Sequence, residues 1–364
     1  MADPKASPLG FFDFLNRLGS WLHDQFYRHF SIFFIILLVA LAINELSLFG
    51  TDFSQWDTLL ISGALTFIIG IRLALNFPSK ADQAISRLVN QGSIRLKPEK
   101  LPEFKRKFEI KADKYAQWCG VIIGAAVFIG FVLAFHLRTQ IPLMILEVLG
   151  GYVAGRFLGM AVSYGRLGLF LKDEGIPIQV QIGHLDRAAG FKPIGDLYFF
   201  QAMLVAIPAA FLAVWWLIIP VMPRYLRWRD TYIGLLAIML IIEFLAFLLP
   251  IWYFHTEMQR QKTELLKEAD GLSRSIVKLQ SRLVDAPTDK ERGTLKERLS
   301  LMIERYSAIE QLPTWPVDAN VQRKFTISNL GLFLPLVSYF LNIKTASGDG
   351  IWQQIGKIIV SLIQ

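Results

Sequence analysis

Four ionisable side chains, Arg72, Glu147, Arg156 and Glu243, stand inside long apolar runs of the 364-residue chain. A charge at such depth in hydrocarbon is costly, so these residues are expected to face a bundle interior, a wet cavity or one another. Counting along the helices puts Arg72 and Arg156 at one level, with Glu243 roughly 6 Å away along the bundle axis. The expected contact is therefore Glu243 with one of the two arginines. Its functional form is a polar pathway with acids in the outer half and arginines towards the cytosol. The competing form is a static interhelical pair with snorkelling arginines.

Behind Glu147, Gly151, Gly155, Gly159 and Ser163 recur at four-residue intervals. Small residues at that spacing line one helix face and let another helix approach closely. The stripe reads either as a packing surface or as a gate, since it sets Glu147 and Arg156 at a tight contact.

Outside the apolar runs, His184, Asp186 and Arg187 cluster with Gly190, Phe191, Pro193 and Gly195. A His-x-Asp pair can supply two metal ligands or an acid and a base, but it lacks a recognisable third ligand or nucleophile. The simpler reading is a loop braced by an Asp-Arg pair and glycine turns. Lys97, Lys100, Lys105, Arg106, Lys107 and Lys111 form a basic cluster suited to an anionic ligand or to anionic lipid headgroups. Ser275 and Lys278 match S-x-x-K, but lie within a heptad pattern and read as a solvated helix face. The one cysteine, Cys119, allows neither an intrachain disulfide nor a cysteine metal cluster. Phosphate-binding glycine loops, zinc-protease motifs and nucleophile elbows do not occur, so no enzyme, cofactor or metal is expected.

The elements that must position these residues follow from composition. At 53% hydrophobic, the chain is too apolar for one globular domain to bury, and the excess must face lipid. Apolar runs at 30–49, 57–77, 118–136, 141–161, 198–221 and 232–254 approach the roughly 20 residues that cross a bilayer. The expected fold is all-α: a polytopic membrane bundle of about six spans with an antiparallel coiled-coil hairpin. A run at 325–343 carrying Asn329, Pro335 and Asn342 is a seventh span or a re-entrant segment.

The expected organisation is an amphipathic surface helix at 1–29 and a bundle at 30–254 with cytosolic loops 78–116 and 165–197. The hairpin follows at 255–312, then a membrane-returning segment and amphipathic end at 313–364. Phe11, Phe14, Leu15, Leu18, Leu22 and Phe26 carry the first amphipathic pattern, and Ile351, Ile355, Ile358, Ile359 and Leu362 the last. Lys and Arg number 30 in one alternating set of connections and 4 in the other, which puts the amino terminus and hairpin in the cytoplasm. Arg224, Arg227 and Arg229 dissent, because they fall on the outer side. The net charge of +8 belongs to these loops and not to a nucleic-acid interface.

In the hairpin, Leu265, Ala269, Leu272, Ile276, Leu279 and Leu283 form a heptad seam. Asp285, Ala286 and Pro287 break it. Thr288 and Glu291 form a capping box that restarts a helix, and Leu295, Leu299, Met302, Tyr306 and Ile309 make a second seam. The arms fold on each other or on a neighbouring subunit. They can serve as a clamp between subunits, or as a lever in which helix runs from the sixth span through His255 and Glu257, with Pro250 as a bend. Pro313, Thr314, Trp315 and Pro316 end the returning arm.

The string GHLDRAAGFKPIGDLYFFQ resembles uncharacterised bacterial multi-pass membrane proteins that carry an H-x-D-x-x-G type cytosolic loop. LPTWPVDANVQRKF is similar to segments that follow helical hairpins in such proteins. More distantly, a bundle with a basic cytosolic side resembles membrane effectors of bacterial defence systems. These resemblances imply a shared bundle in the bacterial inner membrane, with no reaction attached.

The leading expectation is a homo-oligomeric channel or pore gated through the hairpin and basic loops. The alternative is a non-catalytic scaffold that recruits a cytosolic protein through the hairpin. A secondary transporter would require internal repeats and paired broken helices, which the chain does not display.

Overall fold

The computed structural model describes residues 30–52, 55–134, 141–285 and 288–341. The amphipathic patterns expected at 1–29 and 351–362 lie outside these residues. Among those described, regular structure is helical: α1 (Phe30–Phe49), α2 (Thr58–Ala74), α3 (Phe77–Asn90), α4 (Leu101–Ala134) and α5 (Ile141–Gly165). There follow α6 (Leu167–Asp173), α7 (Lys192–Ile218), α8 (Arg229–Val284), α9 (Asp289–Glu310) and α10 (Ala319–Leu341). One isolated antiparallel bridge joins Ile94 to Ile178.

Three stretches of helix, Thr58–Asn90, Lys192–Val221 and Pro223–Val284, are long and apolar enough to cross a membrane. The outward faces of the first and third agree. Ile69, Ile238, Ile241, Leu249 and Trp252 are each more than half exposed, which fits lipid as the surrounding medium.

α4 changes character along its length. Phe104, Phe108, Ala112 and Ala116, four residues apart, are buried in its charged first half, and the second half is apolar. Phe104 and Phe108 meet Phe170 of α6 at ring separations of 5.3 and 5.0 Å, and the Phe108 ring meets that of Tyr164 edge-on. One continuous core joins α3, the start of α4, α6, the start of α7, the middle of α8 and residues 312–325.

Among the described residues the connections gather in two groups. At one end, Arg224 donates to the carbonyls of Gln55 and Trp56, while the Tyr225 hydroxyl donates to Asp57 at 2.9 Å. Asp57 in turn caps α2, and its own amide donates to buried Glu45. The other two dissenting arginines lie over indole rings, Arg227 over Trp228 and Arg229 over Trp216. All three therefore have local work beside the short loops. At the other end, residues 78–116, 174–191, 255–262 and 310–321 meet one another, as described below.

α8 is a single helix of 56 residues that carries Glu243, Pro250 and the whole first seam. α9 packs back on it. The seam side chains are covered: Ala269, Leu279 and Ile309 are buried and the other seam positions partly so, between mostly exposed flanks. Thr288 caps α9 by accepting from the Glu291 amide at 3.4 Å, which is one half of the expected capping box.

Candidate functional site

The elements converge where α8 leaves its apolar stretch. Gln261, one turn beyond Glu257, uses its side-chain amide as a strand would use its backbone. Nε2 donates to the Ile178 carbonyl at 2.7 Å, and Oε1 accepts from the Val180 amide at 2.9 Å. Lys262 turns to the returning arm and donates to the carbonyls of Glu310 and Leu312 at 2.9 and 2.8 Å. These lie at the carboxyl end of α9, where an ammonium is favoured by the helix dipole and by the unpaired carbonyls. His255 Nδ1 lies 2.8 Å from the Thr314 carbonyl, and its ring stacks on Trp315 at 4.0 Å.

The same junction binds α7. Lys192 bridges Asp196 and Asp318 at 3.1 and 2.9 Å, and Asp318 also accepts from the Val321 amide to cap α10. Gly195 lets the Pro316 carbonyl rest against the α7 backbone; a Cβ there would collide with it.

The loop before α7 is organised by one carboxylate. Asp186 Oδ1 accepts from the amides of Ala188 and Gly190, both at 3.0 Å, and Oδ2 from that of Lys192 at 3.2 Å. His184 Nδ1 lies 2.9 Å from Oδ1. Burial works to raise the Asp186 carboxyl, but the amides of Gly190 and Ala188, His184 and the amide of Lys192 outweigh it. The group therefore titrates below the ordinary carboxylate range. The expected brace between Asp186 and Arg187 is corrected here: Arg187 is exposed with a φ of 55°, and backbone amides take the carboxylate instead. The spacing is His184, Asp186, Gly190, one residue longer than H-x-D-x-x-G. Ala189 stands where that pattern has glycine, and it holds a φ of 54°. Ser93 Oγ donates to the Gly190 carbonyl at 2.9 Å, and the Gln181 side chain donates to that of Gly92, so the loop is sewn to the end of α3.

The residues expected to line a pathway are dispersed within one chain. Gly155 and Gly159 lie against the α4 backbone, where an added Cβ would fall 2.5 Å from the Cys119 carbonyl and 2.6 Å from Ala116 Cα; Gly151 faces Val127. This matches the packing form of the stripe. Arg156 pairs with Asp113 of α4 at 2.6 Å. Glu147 and Arg72 are exposed. Glu243 is fully buried, but against α10: Asn329 is its polar neighbour, and among the described residues neither carboxylate oxygen has a close hydrogen-bond partner. The expected Glu243–arginine pair is thus not formed, because Arg156 is taken by Asp113 and Arg72 points outward.

Of the basic cluster, Lys105 pairs with Asp82 at 2.5 Å, Lys107 with Glu103 at 3.1 Å, and Lys111 lies over the Phe170 ring. Lys97, Lys100 and Arg106 are exposed. Gln261, Lys262, Gln201 and Asp113 were not among the sequence candidates. Only Asp113 left a trace in sequence, as an acid on the apolar side of a basic segment.

Comparison with known protein families, with curated proteins and with solved structures found no match.

Proposed function

We propose that the chain is a non-catalytic multi-pass membrane protein whose hairpin receives a cytosolic partner and passes its pull into the bundle. The observation that carries this is α8 itself. One unbroken helix holds Glu243 among the apolar elements and the first seam beyond them. At its root, Gln261, Lys262 and His255 tie it to the loop before α7 and to the returning arm. Such ties make the hairpin root stiff, so force on the arms reaches the α8–α10 contact and is not absorbed in a loop. In this reading all six apolar runs cross the bacterial inner membrane, and the basic connections lie in the cytoplasm.

The test is photocrosslinking in intact cells from Val277 and Leu301, two exposed apolar positions on the arms outside the seams. Discrete adducts with a cytosolic protein, lost when the seam is broken by Leu279→Asp, support the proposal. Adducts from neither position, or labelling of the arms from outside the cell, refute it.

A second reading, an oligomeric pore, is favoured by one observation: Glu243 is buried and makes no ion pair among the described residues. A subunit interface that rearranges α10 would bring it to a shared axis. Currents across a bilayer holding the assembled protein, changed by Glu243→Gln, distinguish this reading from the scaffold.

A further inference from the structure

Between α6 and α8 a cleft of about 640 Å³ runs along the molecule, and its lining changes from apolar to polar. Leu249, Trp252 and Leu169 form one end; Lys172, Thr256, Glu257 and Arg260 form the other. From residue 249 to residue 260 the rise of a helix spans roughly 16 Å, close to the depth of a phospholipid's headgroup and glycerol region. The apolar end opens onto the outward face of α8, where Leu249 is 65% and Trp252 59% exposed, so the floor is continuous with the surface assigned to lipid. Trp252 sits with Trp315 at a ring separation of 6.1 Å, an aromatic pair of the sort that marks the headgroup level.

At the polar end the charges are not equivalent. Arg260 is held by Glu257 and Glu264, and Glu257 also accepts from Gln261. Arg260 is taken up by these two carboxylates, which leave one negative charge in excess, and Lys172 acts on Glu257 from the α6 side. Lys172 is exposed and lines the cleft, and its ammonium makes neither a hydrogen bond nor a close ion pair among the described residues. Tyr253, packed on the bare backbone of Gly168, also lines the cleft.

We propose that this cleft seats one anionic glycerophospholipid, with its phosphate on the Lys172 ammonium, Thr256 beside the headgroup and an acyl chain along Leu249 and Trp252. The inference rests on the reading that the chain crosses a membrane, and it adds a specific ligand and site to that reading. A bound lipid there would touch α6 and α8 together, one turn below the Gln261 tie.

The experiment uses the full chain purified in detergent and reconstituted with mixed phosphatidylglycerol and phosphatidylethanolamine, followed by native mass spectrometry of retained lipid. A lysine at the headgroup is worth about 1 kcal/mol, so Lys172→Gln is expected to lower retained anionic lipid roughly five-fold. Lys172→Arg should retain it, as should Lys267→Gln on the hairpin. Equal retention by Lys172→Gln, or equal losses in Lys172→Gln and Lys267→Gln, would overturn the site. Displacement by excess soluble glycerol phosphate would assign the site to free phosphate and overturn the lipid form. If the protein stays in solution without detergent, the membrane reading itself fails, which is a separate outcome.

Discussion

The Gln201 side chain donates to the carbonyl of Ala246 at 3.3 Å, and Ala246 is the residue four before Pro250. Proline has no amide hydrogen, so Pro250 leaves that carbonyl without its helical partner in the middle of α8. Gln201, buried on α7, supplies the missing donor. A long helix can thus keep its proline without opening.

Removing that donor should unsettle α8 at its proline. Gln201→Leu strands the Ala246 carbonyl but also removes Gln201 Oε1, which is buried without a partner among the described residues, so the net destabilisation is expected to be about 1 kcal/mol. Pro250→Ala restores the helical amide, so the double variant should recover most of the loss. Thermal unfolding of the four proteins in one detergent measures the coupling. Additive effects would show that the Gln201 bond does not serve the proline.

The Asp186 loop should be acid-sensitive. Because folding lowers the carboxyl below its ordinary value, its stabilisation is fully present above that value, about pH 4, and is lost as pH falls through the folded one. Asp186→Asn has one acceptor oxygen where three amides need partners, and should cost about 1–3 kcal/mol at neutral pH. Hydrogen exchange at Ala188, Gly190 and Lys192 reads both effects. Unchanged protection in the variant would refute the account.

Much of this architecture is legible in the residues because it repeats. The heptad seams of α8 and α9 show themselves through eleven apolar positions at a fixed period, and all eleven are buried or partly so. The glycine stripe of α5 is legible for the same reason. The root of the hairpin is not. Gln261 meets Ile178 and Val180 some eighty residues away, and its partners are backbone groups that every residue type carries. Glu243 was legible as a buried charge, while its neighbour was not: depth along a span fixes a level but not which helix stands opposite.

Two classes of glycine should respond oppositely to alanine. At Gly155 and Gly159 the added methyl meets the α4 backbone, which cannot step aside locally, and each change should cost about 1–3 kcal/mol through overpacking. At Gly271, in the exposed first arm, a Cβ meets nothing within 4 Å, and alanine should add about 0.5–1 kcal/mol of helix stability. Thermal shifts of opposite sign are expected. A neutral Gly155→Ala would show that α4 and α5 pack less closely than described.

Glu243 carries the sharpest consequence. A carboxylate buried between α8 and α10 with no cation beside it among the described residues bears a desolvation cost that Asn329 alone does not offset, since the Asn329 side-chain amide already donates to the Phe325 carbonyl at 3.0 Å. Gln at this position keeps the volume, removes the charge and brings a donor to the unpaired Asn329 oxygen. Glu243→Gln should therefore stabilise the isolated protein, by about 1 kcal/mol or more. If the carboxylate serves the pore, stability and cellular function should part company in this variant. If Glu243→Gln is both less stable and fully functional, the carboxylate has a structural partner and the pore reading loses its one supporting observation.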